Sequence, residues 1–198
     1  MALTSNKSVL KWVDEMVALT KPDHVVWIDG SEEQLEALRA EACSTGEMIK
    51  LNEEKLPGCY LHRSAVNDVA RVEGRTFICT RKEEDAGPTN NWMDPKEAYE
   101  KLGKLFDGAM KGRTMYVIPY CMAHVGSPFA KVGIELTDSI YVVLSMAIMT
   151  RIGQKVMDFL GDSEDFVKGL HSKKDLDEAE RYICLLYTSP SPRDMRRS

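Results

Sequence analysis

The 198-residue sequence lacks several features that would assign it to a class at once. Its five cysteines are odd in number and include no C-x-x-C pair, which argues against a disulfide framework, a thiol-redox motif and a zinc site. The longest nearly apolar run, Ile140–Met149, is well short of the roughly 18 to 20 residues that a membrane span needs. No G-x-x-x-x-G-K-[ST] motif occurs, so the sequence offers no P-loop for nucleotide phosphates.

Charge of one sign does not dominate either. The 26 Lys and Arg residues oppose 31 Asp and Glu residues, and the net charge of −5 disfavours binding along a nucleic acid backbone. The first residues, MALTSNKSVLKWVDEM, mix charges into their apolar pattern, unlike a secretory signal. With 43% hydrophobic residues and scattered free cysteines, the sequence predicts a soluble, cytoplasmic, globular protein with neither nucleic acid nor membrane as a partner.

The hydrophobic pattern predicts an α/β fold in which helices cover a mixed sheet. Apolar residues recur at helical spacing between Val9 and Val17, and Asp94-Pro95 marks another helix start. Ser31-x-x-Gln34 matches a capping box, and 138–153 is predicted to be a buried helix capped by Asp138-Ser139. Strands are predicted in the segments HVVWIDG, CYLHRS, RTFICT, TMYVIPY and VGIELTD.

Two segments leave their role open. The polar stretch 83–95 is either a surface excursion or a functional loop, since it is long for a plain connection.

Cys121 and His124 could form a thiolate–imidazolium pair or contribute two metal ligands. Neither residue has an orienting carboxylate or further ligands nearby in sequence, so a buried thiol and a loop imidazole are the favoured interpretation.

Arg71 stands among small and apolar residues in DVARVEGRT. An arginine in such surroundings either pairs with a carboxylate or presents its planar fork to an anionic ligand. The residues alone favour the ion pair.

Five segments, taken in order and spacing, resemble the N-terminal part of GTP-dependent phosphoenolpyruvate carboxykinase. The resemblance covers about residues 7–183, and several long motifs in order are more specific than one short pattern. The segments are KPDHVVWIDGSEEQ, DVARVEGRTFICTRKEEDAGPTNNWMDP, MKGRTMYVIPYCMAHVGSP, KVGIELTDSIYVVLSMAIMTRIG and FVKGLHS.

The resemblance implies an enzyme of gluconeogenesis, a lyase that converts oxaloacetate and GTP to phosphoenolpyruvate, GDP and carbon dioxide. It implies Mn²⁺ at the site, Mg²⁺ on the nucleotide, and a full-length protein that is usually monomeric. It also implies that Arg71 binds the substrate, while Cys121 and His124 have no chemical role. Related sequences usually carry Gly-Pro at Ala123-His124, where a glycine would suit a turn with positive φ.

The same resemblance implies that the chain is only part of the enzyme. Residues 1–183 would be its N-terminal, substrate-side domain, and the nucleotide, metal and catalytic residues would lie outside this chain. Residues 184–198 contain CLLYTSPSPRD, which resembles translated sequencing-adapter read-through, and are expected to be a non-native, disordered tail. The fragment alone is expected to be inactive. The alternative is a non-enzymatic dicarboxylate-binding module that retains Arg71.

Overall fold

A computed structural model describes residues 2–63, 73–176 and 181–186. The helices are α1 (Lys7–Thr20), α2 (Glu32–Ser44), α3 (Pro95–Phe106), α4 (Ile140–Met149) and α5 (Gln154–Leu160). The strands are β1 (His24–Trp27), β2 (Met48–Lys50), β3 (Tyr60–His62), β4 (Thr76–Cys79), β5 (Asn91–Trp92), β6 (Thr114–Cys121), β7 (Val132–Thr137), β8 (Arg151–Ile152), β9 (Val167–Leu170) and β10 (Ile183–Leu186). These elements divide between two compact units.

The first unit spans residues 1–64 and 108–174 and contains a mixed five-stranded sheet. Strand β6 lies at its centre, parallel to β1 and antiparallel to β7, and β9 extends the sheet parallel to β7. The short strand β8 pairs antiparallel with the last residues of β6, while β2 and β3 form a separate antiparallel pair. The predicted mixed sheet is confirmed.

Helices cover both faces of this sheet because strand residues alternate between them. On one face, Met115, Val117 and Ile134 pack with residues of α1 and α5, such as Trp12 and Met157. The other face carries Ile28, Tyr116 and Ile118 against apolar residues of α2 and α4. The helical spacing from Val9 to Val17 thus reflects a buried stripe, as predicted.

The predicted boundary of the long apolar helix differs from the structure. Helix α4 ends at Met149, and Arg151-Ile152 forms β8 instead of the last helical turn. Gly153 then adopts φ +92° at the start of α5, with its Cα packed so closely against the Asp29 carbonyl that a Cβ would overlap it. A glycine is required there, because an L side chain would be strained and would also meet backbone.

The second unit spans residues 65–107 and 175–198. Its three-stranded parallel sheet has the order β10-β4-β5, and α3 begins where Asp94-Pro95 predicted it, with the Asp94 carboxylate accepting from the Lys96 N–H. Cys79, Met93 and Ala98 form its small core, against which Phe77 and Cys184 pack.

Residues 184–186 form part of strand β10, although the sequence analysis assigned them to a disordered tail. The division of the chain at residue 183 stays a prediction.

Within the described ranges, no helix combines the length and apolar character needed to cross a bilayer.

Candidate functional site

Arg71, the predicted substrate-binding residue, lies outside the described residues. The chain is described up to Arg63, just after β3, and again from the 3-10 turn Glu73–Arg75 onward. The predicted role of Arg71 therefore stays a prediction, and the structure describes the two anchors that flank its segment.

The anchor before Arg71 is His62, the last residue of β3. Its ring stacks on the Tyr141 ring at the start of α4, with 3.9 Å between centroids and an interplanar angle of 18°. Its Nδ1 lies 2.7 Å from the Glu47 carbonyl oxygen. Because a carbonyl oxygen only accepts, Nδ1 carries the proton. The two contacts fix the chain within two residues of the segment that contains Arg71.

The anchor after Arg71 is Asn91, in the polar stretch 83–95. Its side-chain amide donates to the Glu73 carbonyl at 2.6 Å and to the Thr76 carbonyl at 3.1 Å, which holds the turn that follows Arg71. The neighbouring Trp92 donates its indole N–H to the Thr80 carbonyl at 3.0 Å. Part of this stretch thus supports the backbone near Arg71, a role that the sequence had left open.

Cys121 and His124 do not form a reactive pair. The Cys121 side chain is completely buried in the core beneath α1 and α5, whereas His124 is exposed in the loop after β6. Ala123, where related sequences usually carry glycine, does not adopt positive φ, since Lys21 is the one non-glycine residue with positive φ in the described ranges. The turn is closed instead by the Ser127 N–H, which donates to the His124 carbonyl at 3.0 Å.

A metal centre is also absent from the described residues. Within 2–63, 73–176 and 181–186, no three or more His, Cys, Asp or Glu side chains come together as ligands. The ions implied by the resemblance therefore have no fitting site in this part of the chain.

The structure reveals a buried carboxylate that sequence reasoning had assigned to a helix cap. The Asp138 side chain is fully buried, and its two oxygens accept from the Arg113 guanidinium at 2.9 Å, the Ser172 hydroxyl at 3.0 Å and the Lys173 N–H at 2.7 Å. Instead, Ser139 caps α4 by accepting from the Val142 N–H, and the Glu47 carboxylate accepts from the Tyr141 N–H. Asp138 thus joins the end of β7 to the turn before β6 and to the segment after β9.

Next to this network, the His171 ring is held by Thr137. Its Nδ1 lies 2.8 Å from the Thr137 hydroxyl, which also accepts from the Ser139 N–H. Partial burial lowers the pKa of His171. The motif FVKGLHS thereby gains a structural meaning, because its last two residues bond to the end of β7. The sequence signal for the Asp138 network was an arginine and an aspartate beside the ends of predicted strands. Nothing in the sequence shows that these two residues form an ion pair.

A second acidic side chain on β7, Glu135, is in the opposite situation. It is largely buried, and its carboxyl forms no hydrogen bond or ion pair with the described part of the chain. Burial raises its pKa to about 7, and burial together with the Glu135 charge raises the pKa of Tyr120. A carboxyl of this kind can exchange a proton near neutral pH.

Comparison with known proteins agrees with the resemblance. The family model described as phosphoenolpyruvate carboxykinase N-terminal domain matches residues 11–184. Proteins named phosphoenolpyruvate carboxykinase [GTP] are 58% identical over 181 residues in Anaeromyxobacter sp. strain K and 52% identical over 171 residues in Corynebacterium jeikeium. These matches cover 91% and 86% of this chain but only 30% and 28% of the relatives.

Proposed function

We propose that this chain, which belongs to the phosphoenolpyruvate carboxykinase N-terminal domain family, is the substrate-side portion of a GTP-dependent carboxykinase. The complete cytoplasmic enzyme would interconvert oxaloacetate and GTP with phosphoenolpyruvate, GDP and carbon dioxide. The observation that carries this proposal is the match to relatives of that name along about nine-tenths of the chain.

Arg71 is the residue proposed to bind the substrate. Its guanidinium can hold a carboxylate of oxaloacetate, and later the phosphate of the product, by two parallel charge-assisted hydrogen bonds. Phosphoryl transfer depends mainly on such positioning and on electrostatic stabilisation. The hydrogen bonds from the Asn91 side chain to the carbonyls of Glu73 and Thr76 support this role, because they fix the turn that follows Arg71 in the chain.

The remaining chemistry is proposed to reside outside this chain. Mn²⁺, Mg²⁺ and the GTP phosphates supply electrostatic stabilisation of the transferred phosphoryl group when bound. The sequence contains no P-loop, and the described residues contain no metal ligand cluster. The 198-residue chain alone is therefore expected to have no carboxykinase activity.

The test compares the full-length gene product with its Arg71→Ala and Arg71→Lys variants in a GTP- and Mn²⁺-dependent oxaloacetate assay. Loss of charged hydrogen bonds worth about 1.5–3 kcal/mol each is expected to lower kcat/KM by about 100-fold or more in Arg71→Ala. Arg71→Lys recovers only part of the loss, because an ammonium cannot bind in bidentate fashion.

The matched control is Arg39→Ala. The Arg39 guanidinium is already paired with Glu32 and Glu36 on the surface of α2, so its loss is expected to leave kcat/KM unchanged. Full activity in Arg71→Ala would contradict the role of Arg71. Metal-dependent turnover by the 198-residue chain would contradict the proposal that the remaining chemistry resides outside this chain. Dicarboxylate binding without any turnover by the full-length protein would favour a binding module instead.

A further inference from the structure

The Asn91 side chain makes two hydrogen bonds to the turn that follows Arg71 in the chain. Its amide nitrogen lies 2.6 Å from the Glu73 carbonyl oxygen and 3.1 Å from the Thr76 carbonyl oxygen. Both partners only accept, so the nitrogen of the amide must face the turn, and its two hydrogens provide one donor for each carbonyl. An aspartate or a serine could not replace both bonds, because a carboxylate has no donor and a hydroxyl has one.

Asn91 is itself held in place by the second unit. Its backbone pairs in register with Phe77 of β4. The next residue, Trp92, donates its indole N–H to the Thr80 carbonyl at 3.0 Å, and Met93 is buried in the small core of this unit. Because its neighbours are fixed to β4 and to the core, the Asn91 amide can hold the turn in one position.

The turn is close to Arg71 along the chain. Glu73 follows Arg71 by two residues. Consecutive Cα atoms are about 3.8 Å apart, so the Arg71 Cα lies within about 7.6 Å of the Glu73 Cα whatever the conformation between them. A guanidinium binds a carboxylate through two parallel bonds of defined geometry, and a displacement of about 1 Å can lower a rate about 100-fold. Fixing the turn therefore limits where the Arg71 guanidinium can meet the substrate.

We propose that Asn91 is a positioning residue for Arg71, because its amide fixes the Glu73–Arg75 turn and with it the backbone that carries the substrate-binding guanidinium. This role rests on the proposed function, in which Arg71 binds the acid substrate. Asn91 acts through Arg71 and does not itself contact the substrate. Loss of the Asn91 amide should therefore weaken only those steps to which Arg71 contributes.

The test measures the steady-state kinetics of Asn91→Ala in the full-length gene product. We expect kcat/KM for oxaloacetate to fall about 10-fold or more, because the guanidinium is no longer held in its binding position. KM for GTP should change by less than about 2-fold, since Arg71 holds the acid substrate and not the nucleotide. Asn91→Asp should lose as much as Asn91→Ala, because its ionised carboxylate has the same shape as the amide but no donor.

The matched control is Asn90→Ala. Asn90 is the adjacent asparagine, and its amide also donates to a carbonyl, that of Ala86 at 2.6 Å. Its removal breaks a comparable bond without releasing the Glu73–Arg75 turn, so kcat/KM for oxaloacetate should stay within about 2-fold of the parent value. Equal losses in Asn90→Ala and Asn91→Ala would indicate general damage to this stretch of the chain and would overturn the proposal.

A double-mutant cycle separates positioning from stability. In an Arg71→Ala background, Asn91→Ala should lower kcat/KM by less than about 2-fold further, since the side chain that it positions is already gone. A purely structural role gives the same factor in both backgrounds, and such additivity would also overturn the proposal. If Asn91→Ala does not fold, Asn91→Ser takes its place in the cycle, because its hydroxyl retains one donor and should give an intermediate loss.

Binding of phosphoenolpyruvate distinguishes failure of this role from failure of the proposed function. Calorimetric titration of the full-length protein needs no turnover, and Asn91→Ala should raise Kd about 10-fold or more while Asn90→Ala leaves it unchanged. Weaker binding in Asn91→Ala but no turnover in the parent would support the role of Asn91 and contradict the carboxykinase activity. Impaired Arg71→Ala beside unimpaired Asn91→Ala would contradict the role of Asn91 alone. Unimpaired Arg71→Ala, or no binding by the parent, would contradict both.

Discussion

Two acidic side chains near the Thr137 end of strand β7 have different surroundings. Asp138, directly after the strand, is buried and receives three hydrogen bonds from two other segments of the chain, and the neighbouring His171 is held by Thr137. Glu135, three residues earlier, is only partly exposed and has no hydrogen bond or ion pair with the described part of the chain. We call the hydrogen-bonded surroundings of Asp138 the closed end of the sheet, because donors of this chain satisfy its carboxylate, whereas the Glu135 carboxyl has no described partner.

The comparison predicts its largest effect at Asp138. Asp138→Ala removes the common acceptor of the closed end and leaves Arg113 partly buried without its charge partner. We expect the free energy of unfolding to fall by about 3 kcal/mol or more, measured by urea denaturation. The control Asp165→Ala breaks the exposed ion pair with Lys131 and should cost less than about 1 kcal/mol. Equal losses in the two variants would remove the distinction between the buried Asp138 network and an exposed ion pair.

Glu135→Gln should have the opposite sign. Because burial raises the pKa of Glu135 to about 7, the folded state binds a proton more tightly than the unfolded state, whose carboxyl has a pKa near 4.5. The carboxyl therefore destabilises the protein increasingly as pH rises from about 4.5 to about 7, and by a constant amount above that. Glu135→Gln should gain about 1–3 kcal/mol at pH 8 and little below pH 4.5.

The check is urea denaturation at a series of pH values. A variant whose difference from the parent stays constant between pH 4.5 and pH 8 would mean that Glu135 is paired in solution.

Ser172→Ala tests a smaller part of the closed end. Loss of its hydroxyl removes one of the three bonds to Asp138 and should cost about 1 kcal/mol of unfolding free energy. In an Asp138→Ala background the same substitution should cost less, since only the bonds of the Ser172 hydroxyl to the Ala109 carbonyl and the Lys174 N–H are then lost. Full additivity in this double-mutant cycle would argue against a network.

The smallest expected effect is at Ile148, near the end of α4. Ile148 is 84% exposed, so Ile148→Ser should change the unfolding free energy of this chain by less than about 0.5 kcal/mol. Val143→Ala on the same helix provides the contrast, because Val143 is completely buried and its loss should cost several times more. A large loss in Ile148→Ser would mean that the residue is buried in solution.

Local chemistry made much of the fold predictable. Asp94-Pro95 begins α3 as predicted, and the apolar spacing from Val9 to Val17 correctly identified α1. Ser31 caps α2, although the Gln34 side chain reaches back to the Asp29 N–H instead of the Ser31 N–H that a capping box predicts. These features depend on a few consecutive residues, which is why a sequence reveals them.

Long-range pairing could not be predicted in the same way. Asp138 was assigned to a helix cap, because it has that local propensity, and only the folded sheet brings it to Arg113. The exposure of Ile148 and Met149 could not be predicted either, since both belong to a segment whose composition indicates burial. Arg71 was found through the family resemblance, and its own surroundings favoured an ordinary ion pair.

The chain order of the main sheet has a consequence for biosynthesis. Strand β1 pairs with β6, whose partner residues lie ninety positions further along, and β7 and β9 follow later still. While the ribosome is synthesising the chain, β1 cannot pair with β6 until the intervening residues 65–107 of the second unit have been synthesised. Closing so long a loop slows folding. We expect chaperones to bind nascent chains that end between α1 and β6 more than chains that extend beyond β9.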